Sequence, residues 1–448
     1  MTSTASRAGT AHPTTPTAPT TDPRVLVVGG GIGGLALAAG LRRNGFDVVV
    51  HDRDTDPAAT GGYHITLDTP ALAALRDLLG PDHYAGLLAS ASAVRRRPPD
   101  VWFDHRGRLL GDLDVRGLDP DSVDVDRTTL RLVLAAAAGD SLVLGSTCTA
   151  VERDPGPDGE VRARFADGSV VRADLLVGAD GPGSLVVAHL TGRPASRPAG
   201  LTGVSGRTPA GDLDPDLARR LGPRSSLAVG PRGTALYCGY LDPAGFAVLD
   251  APLGRHAVTT GPTYVWGAML PTATAPAGLR GQRGAVLRDT VLEALRATGW
   301  GEAPLQVVTR ADPSTVAAYP FVVGPASPRE AAPWPAGRVT ALGDAVHATP
   351  PTAGKGAGTA IVDASVLVRE LLAHRAGERT LHTAVSAYEQ DVRHRGSAVV
   401  QLSMGTVRRV LATATPAGSA ATRVLLPVLA ASTALRGRLT GGRGTSGG

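Results

Sequence analysis

The chain has 448 residues, a hydrophobic content of 43% and a formal net charge of +5. This length can hold two or three domains, two cysteines exclude a disulfide framework, and no apolar run reaches the roughly 18 residues of a membrane span. No Cys or His cluster has metal-ligand spacing, and no basic helix or finger spacing accompanies the positive charge. We therefore expect a cytoplasmic protein with no metal site, no membrane partner and no nucleic-acid partner.

The first structured unit is expected after a tail, residues 1–23, whose Thr, Ala and Pro content predicts disorder. Residues 24–54 begin with an apolar run typical of a buried parallel strand. Gly29, Gly31 and Gly34 form a G-x-G-x-x-G motif, and an apolar helix and a second strand lead to Asp52. Such glycines permit a tight turn, close approach of a pyrophosphate and helix–strand packing, and the acid accepts from a ribose. The whole unit predicts a dinucleotide site.

The second segment is VRARFADGSVVRADLLVGADGPGS, residues 161–184. Asp167-Gly168 between two alternating runs predicts a β-hairpin, whose second arm leads through an apolar run to Asp180-Gly181. By itself, this segment is equally consistent with a plain meander that ends in a turn.

The third segment is GRVTALGDAVHATPPTAGKGAGTAIVDA, residues 337–364, in which an apolar strand is followed by Gly343-Asp344, a glycine-rich loop and a helix. Bare backbone at such a place permits close approach of a ligand. Lys355, the only lysine of the chain, lies in this loop. We expect Lys355 either to project into solvent or to assist an anionic ligand, and we expect His347 to be structural.

Together the three segments resemble the class A FAD-dependent monooxygenases, the para-hydroxybenzoate hydroxylase-like group. The first glycine motif is similar to the first FAD loop of that family, Asp180-Gly181 to its "DG" motif, and Gly343-Asp344 to its "GD" motif. Arg127, in VDVDRTTLRLVL, stands where the family places an arginine that contacts the cofactor.

The resemblance implies an α/β fold, in which a Rossmann-like, glutathione-reductase-like FAD-binding domain carries an inserted, mostly antiparallel β-sheet substrate domain and C-terminal helices. It implies FAD as the cofactor and NADPH or NADH as a transient co-substrate. Asp344 is expected to hold a ribityl hydroxyl, and the helix that begins near Ala357 to stabilise negative charge on the reduced ring. The residues expected to bind FAD are Gly29, Gly31, Gly34, Asp52, Arg53, Arg127, Asp180, Asp344, Pro350, Gly354, Gly356 and Ala357.

One position departs from the family pattern. The family often has an arginine two residues after its "DG" pair, where this chain has Gly183. The departure bears on how the chain handles the nicotinamide nucleotide.

The expected domain organisation is discontinuous. Residues 24–79, 123–190 and 339–374 are assigned to the FAD-binding domain, and residues 80–122 and 191–338 to the substrate domain. Strands are expected over residues 225–230, 234–241, 246–251 and 263–270. Residues 375–435 are assigned to C-terminal helices, with separate helices over 381–395, 399–412 and 421–435, and residues 436–448 to a disordered tail.

The substrate is expected to lie between the antiparallel sheet and the flavin. The pocket candidates are His64, Tyr237, Tyr264 and Trp266, although for each aromatic side chain taken singly core packing is the favoured explanation. No further catalytic residue is identified from the sequence.

These features predict a monooxygenase that uses NAD(P)H and O₂ to insert one oxygen atom into an apolar, polycyclic or polyketide-like small molecule of secondary metabolism, as a monomer or homodimer. The main alternative is a non-redox cyclase of a polyketide pathway in which FAD is structural, and Gly183 favours it. A flavin halogenase is disfavoured because the W-x-W-x-I-P signature is absent, and a non-enzymatic flavin sensor is the remaining alternative.

Overall fold

The computed structural model describes residues 22–58, 64–94, 98–112, 119, 121–153, 159–242, 261–426 and 428. The tails expected over residues 1–23 and 436–448 lie outside the described residues, apart from residues 22 and 23. The strand expected over residues 246–251 also lies outside them.

The strands and helices of the described residues are numbered in chain order. The strands are β1 (Val25–Val28), β2 (Val48–His51), β3 (His64–Leu67), β4 (Ser92–Ala93), β5 (Val101–Asp104), β6 (Leu109–Asp112), β7 (Val123–Asp126), β8 (Leu142–Val143), β9 (Cys148–Arg153), β10 (Val161–Phe165), β11 (Val170–Ala173), β12 (Leu175–Gly178), β13 (Arg197–Pro209), β14 (Ser226–Val229), β15 (Ala235–Leu241), β16 (Thr263–Pro271), β17 (Ala317–Val323) and β18 (Val339–Ala341). The helices are α1 (Ile32–Arg43), α2 (Thr69–Leu78), α3 (Pro81–Ala89), α4 (Arg127–Ala138), α5 (Leu185–Thr191), α6 (Pro215–Leu221), α7 (Gly284–Thr298), α8 (Glu302–Thr309), α9 (Asp344–His347), α10 (Gly356–Arg375) and α11 (Leu381–Ala412).

A parallel sheet with the strand order β18-β12-β1-β2-β8 forms the centre of the nucleotide-binding part. Helices α1, α2, α4 and α10 bury one face of it, and the antiparallel β9–β11 sheet buries the other. Burial on both faces explains why β1 is apolar at every position. The predicted strand, glycine turn, helix and second strand of residues 24–54 are confirmed, as is the hairpin at Gly168, whose φ is +86°.

The second large element is a seven-stranded sheet with the order β17-β13-β16-β15-β14-β5-β6. Neighbouring strands are antiparallel except β14 and β5. Helices α6, α7 and α8 pack on one face, and α11 packs on part of the other. The mostly antiparallel second sheet is therefore confirmed, while the exact domain boundaries stay a prediction.

A small sheet, β3-β7-β4, is formed by strands that lie between β2 and β8 in the chain, and it carries His64 at the start of β3. Its strand β7 leads directly into α4, so Arg127 is the first residue of a helix whose cap is Asp126. Asp126 accepts hydrogen bonds from the N–H groups of Thr128 and Thr129 at 2.8 and 3.0 Å.

The expectation of two helices over residues 381–395 and 399–412 was wrong, because α11 is continuous from Leu381 to Ala412. Gly396 does not break the helix but permits close packing, since a Cβ atom there would lie 2.9 Å from Cβ of His347. A further helix covers residues 416–426, and the rest of the helix expected to reach residue 435 lies outside the described residues, apart from residue 428. Among the helices that the structure describes, none is both long and apolar enough to cross a bilayer.

Candidate cofactor and substrate site

A cavity of about 320 Å³ opens at the carboxyl ends of β1, β12 and β18. In open α/β sheets this edge is where ligands bind. The segments that line the cavity are residues 31–34, 179–182, 342–344 and 349–360 from the nucleotide-binding part, with His64, Arg127 and strand β17 facing them, although not every residue of these ranges touches it.

Each of the three glycines of the first motif is glycine for a different structural reason. Gly29 has φ +108°, and a Cβ atom there would lie 2.4 Å from the carbonyl oxygen of Ala179. A Cβ atom at Gly34 would lie 2.0 Å from the carbonyl oxygen of Gly29, so α1 packs directly on the turn. Gly31 lines the cavity, and a Cβ atom there would meet no described atom within 4 Å. It is the N-cap of α1 and no side chain caps this helix, so free N–H groups at its first turn are available to a phosphate.

Asp52 is held by the backbone of the same turn. Its carboxylate accepts from the N–H of Gly30 at 2.5 Å and from the N–H of Asp54 at 2.8 Å. Arg131, which was not predicted from the sequence, is a buried residue one helical turn after Arg127, and it pairs with Asp52 at 3.3 Å and with Asp54 at 2.7 Å. Because Arg131 also donates to the carbonyl of Gly30 at 3.0 Å, it ties the glycine turn to β2 and α4.

Arg53 is exposed at the end of β2 and does not line the cavity. Arg127, by contrast, lines the cavity.

The second motif provides backbone to the cavity and a cap to a helix. Gly181 and Pro182 line the cavity, whereas the carboxylate of Asp180 accepts from the N–H groups of Leu185 and Val186 at 2.7 and 3.2 Å. Asp180 therefore holds the start of α5. Gly183 is exposed, and a Cβ atom there would meet no described atom within 4 Å.

Asp344, the first residue of α9, lines the cavity. Asp344 is exposed at the cavity wall, and desolvation by the protein packed around its carboxyl raises the pKa of that group, against the opposing charges of His347 and Arg127. Nearby, Gly354 with φ +64° also lines the cavity, whereas Pro350 is buried behind its neighbour Pro351.

Helix α10 begins at Gly356 and Ala357, which face the cavity, and no side chain caps it. Its N-cap, Lys355, donates to Asp68 at 2.8 Å, so the lysine is paired rather than directed into solvent. The first turn of α10 thus presents bare N–H groups to the same cavity as the first turn of α1.

A buried cluster behind the loop orients Asp344. Asp363 accepts from the N–H of Gly343 at 2.9 Å and from Nε2 of His347 at 2.6 Å, and Arg395 of α11 donates to it at 2.9 Å. Burial lowers the pKa of His347, but the charge and hydrogen bond of Asp363 raise it by more, so this pKa lies above its usual value. His347 is therefore a buried partner of Asp363, as its structural interpretation requires.

The four pocket candidates separate into two groups. His64 lines the cavity, with Nε2 2.8 Å from Asp124 and Nδ1 3.1 Å from the hydroxyl of Tyr237. Tyr264 and Trp266 lie on the opposite face of the sheet, in the core formed with α6, α7 and α8, and are 2% and 1% exposed. This placement corrects our expectation for these two side chains, because alternation along β16 turns both away from the cavity.

The donor set fits FAD. Two uncapped helix starts face one cavity, which suits a pyrophosphate at α1 and the electron-rich edge of a reduced ring at α10. Asp344 lines the same cavity and offers its carboxylate oxygens as hydrogen-bond acceptors, and the bare backbone at Gly31 and Gly354 leaves room for a ligand.

Comparison with known proteins agrees with this geometry. A family model described as an FAD binding domain matches residues 309–403, and one described as an NAD(P)-binding Rossmann-like domain matches residues 27–67. Aurachin C monooxygenase/isomerase of Stigmatella aurantiaca is 33% identical over 352 residues, 77% of this chain and 79% of that protein. The 6-methylsalicylate 1-monooxygenase of Aspergillus terreus is 29% identical over 406 residues, 86% and 82% of the two chains.

A solved structure shows the same fold. HpxO of Klebsiella pneumoniae, crystallised with FAD and uric acid, is 23% identical and aligns with a TM-score of 0.67 over 91% of this chain and 92% of that one.

Proposed function

The chain belongs to the family of FAD-dependent monooxygenases, and from this premise we propose that it uses NADPH or NADH and O₂ to insert one oxygen atom into an apolar, polycyclic or polyketide-like small molecule. Membership of the family makes the chain an oxidoreductase that binds FAD, and the reductant and the substrate class are what we propose.

Different residues of the cavity would hold different parts of the cofactor. The turn at Gly31 and the start of α1 would hold the pyrophosphate, and Asp344 with Arg127 would hold the ribityl region. The start of α10, at Gly356 and Ala357, would stabilise negative charge at the edge of the ring. When bound, FAD supplies the reduction of O₂ and the transfer of an oxygen atom.

One observation carries the substrate class: the cavity wall that faces the glycine-rich loop of residues 349–357 is largely apolar. Ile65, Tyr319, Phe321 and Val322 line it, and the rings of Tyr319 and Phe321 are stacked with centroids 5.8 Å apart. Such a wall excludes water from the reaction and favours an apolar ligand. The names of two relatives, a 6-methylsalicylate monooxygenase and an aurachin C monooxygenase/isomerase, support oxidation of a small molecule of secondary metabolism.

The nicotinamide nucleotide is proposed to bind transiently beside Gly181 and Pro182. Only one G-x-G-x-x-G unit with a following acid is present in the sequence, which is the arrangement of a chain without a separate NADPH domain. His64 is proposed to contact the substrate, with Tyr237 behind it.

Gly183 supports a second candidate function. Because no cation stands at this exposed position, weak binding of NAD(P)H would suit a non-redox cyclase in which FAD is a structural wall. Such an enzyme would turn over its substrate with oxidised flavin and without O₂.

Anaerobic titration of the FAD-loaded protein with NADPH, and then with NADH, separates the two functions. Loss of the oxidised flavin bands, followed by their return on admission of air, is expected for the monooxygenase. Flavin that stays oxidised at millimolar NADPH and NADH, together with product formed from a candidate polyketide without O₂, would refute it. Oxygen uptake measured with the same preparations gives the reductant preference.

A further inference from the structure

The face of the seven-stranded sheet that carries Tyr237 is covered at both ends. At one end, α11 packs against Leu201 and Met269. At the other end, Arg207 forms an ion pair with Asp126 at the start of α4. Pairing across β13 and β16 puts Leu201, Arg207 and Met269 on one face of the sheet, so the stretch between the two covers faces the nucleotide-binding part.

Between these covers lies a row of small residues. Ser205 of β13 is in register with Gly267 of β16, and Gly267 is in register with Tyr237 of β15. Gly267 is partly exposed, and a Cβ atom built on it would meet no atom of the described residues within 4 Å. This space is therefore open above the backbone of β16.

Two other glycines on the same face behave differently. A Cβ atom at Gly203 would lie 2.4 Å from the ring of Phe321, and one at Gly239 would lie 2.9 Å from Nδ1 of His64. Bare backbone at Gly203 and Gly239 thus accommodates side chains of the protein itself. At Gly267 no side chain that the structure describes occupies the space above the bare backbone, which leaves that space for a ligand.

We propose that Gly267 is the specificity-determining residue of a flat substrate subsite, and that the substrate is a planar molecule of two or more fused rings lying against the backbone of β13 and β16. The inference rests on the proposed function, since it assigns the substrate of that site.

The shape of the surroundings argues for a planar ligand. Adjacent strands are about 4.8 Å apart, so Ser205 and Gly267 form a low floor across two neighbouring strands, in which Ser205 is buried and Gly267 is partly exposed. The stacked rings of Tyr319 and Phe321 lie over Gly203 beside this floor and give it an aromatic wall. A fused ring system fills a low, wide space more completely than a single ring, and each further ring buries more apolar area.

Binding of a matched series of probes tests the subsite. Benzoate, 2-naphthoate and anthracene-2-carboxylate carry the same carboxylate on one, two and three rings. Each is titrated into FAD-loaded protein, and the dissociation constant is read from the change in flavin absorbance. Wild type, Gly267→Ala and Gly267→Val are compared with Gly211→Val, a control at an exposed glycine of the same unit whose Cβ would also meet no described atom.

For wild type, affinity is expected to rise with ring number. Gly267→Val should weaken anthracene-2-carboxylate at least about tenfold and benzoate by much less, because added methyl groups reject ligands by size. Gly267→Ala should fall between, and the affinity for FAD should stay within about twofold, since Gly267 does not line the FAD-binding cavity. The Gly211→Val control should bind all probes as wild type does.

The subsite is refuted if wild type binds no multi-ring probe more tightly than benzoate, or if both Gly267 variants keep wild-type affinity for the three-ring probe. Oxygen uptake with NADPH is recorded separately. A ring-size effect without any NADPH-dependent uptake would refute the proposed function and leave the subsite, whereas uptake without a ring-size effect would do the reverse.

Discussion

Lys355, the N-cap of α10, donates a hydrogen bond of 2.8 Å to Asp68, the N-cap of α2. The pair joins the loop that faces the cavity to the turn that follows β3. Both side chains are partly exposed, at 21% and 24%, so the pair is worth at most about 1 kcal/mol.

Asp68→Asn should therefore weaken FAD binding only severalfold, up to about fivefold, because asparagine still caps α2 and only the charge pair is lost. The dissociation constant for FAD, measured by quenching of flavin fluorescence, checks this. Asp216→Asn, which removes an exposed pair with Arg219, is the matched control. A loss of a hundredfold or more would contradict a positioning role for the pair and indicate direct contact with the cofactor.

Asp344→Ala and Asp180→Ala should give opposite signatures. Asp344 faces the cavity, so its loss removes a charged hydrogen bond to FAD, about 1.5–3 kcal/mol in binding. Asp180 caps α5, so its loss lowers the free energy of unfolding by about 0.5–2 kcal/mol and changes FAD affinity less. Equilibrium unfolding of both apoproteins, set beside their FAD dissociation constants, distinguishes them, and equal FAD occupancy of both variants at limiting FAD would contradict the assignment.

Glu389 predicts a pH dependence of stability. It is fully buried, and Trp334 and Thr340 both donate to its Oε1 at 2.9 Å. Burial raises its pKa from 4.5 to about 7. Between these values the native state binds more protons than the unfolded state, so stability is present at low pH and falls as the pH rises through about 7.

The Glu389→Gln variant should lose this dependence, because the amide oxygen still accepts both hydrogen bonds and carries no charge. Between pH 5 and pH 8, wild type should lose about 1–3 kcal/mol relative to the variant. Urea unfolding at both pH values measures the difference, with Glu378→Gln, at an exposed glutamate, as the control. A variant that follows the wild-type pH profile would contradict the role of Glu389.

The parts of the site that depend on local backbone demands were predictable. Gly29 and Gly34 stand where a tight turn and a close helix require them, and those demands lie within one short unit. The positions near Asp344 that line the cavity were indicated by the glycine-rich loop together with the resemblance to the family. Arg131 was missed because its partners Asp52 and Asp54 are nearly eighty residues away in the chain, and no spacing rule connects them.

The face that Tyr264 and Trp266 occupy could not be predicted from β16 alone. Alternation shows that the two side chains share a face, but the choice of face depends on where α6, α7 and α8 pack. The continuity of α11 could not be predicted for a similar reason, since a glycine within a helical pattern, here Gly396, indicates either a break or a close contact. Only the position of His347 against α11 distinguishes them.

Gly183 lies at the cavity edge beside Pro182 and has open space around its Cβ position. With NAD(P)H bound beside Gly181 and Pro182, as proposed, an arginine at this position would pair with a phosphate of the nucleotide, and a charged hydrogen bond of this kind is worth about 1.5–3 kcal/mol. Gly183→Arg should therefore lower the NADPH concentration at half-maximal rate of flavin reduction about tenfold or more, whereas Gly183→Gln, similar in length but uncharged, should not.

Stopped-flow measurement of flavin reduction under nitrogen checks both variants. Repetition at high salt should diminish the advantage of the arginine, because the interaction is electrostatic. Unchanged reduction by the arginine variant, with product still strictly dependent on O₂, would keep the monooxygenase and refute this account of Gly183. Turnover without O₂ that is indifferent to the substitution would instead favour the cyclase, because a flavin that serves only as a wall gains nothing from faster reduction.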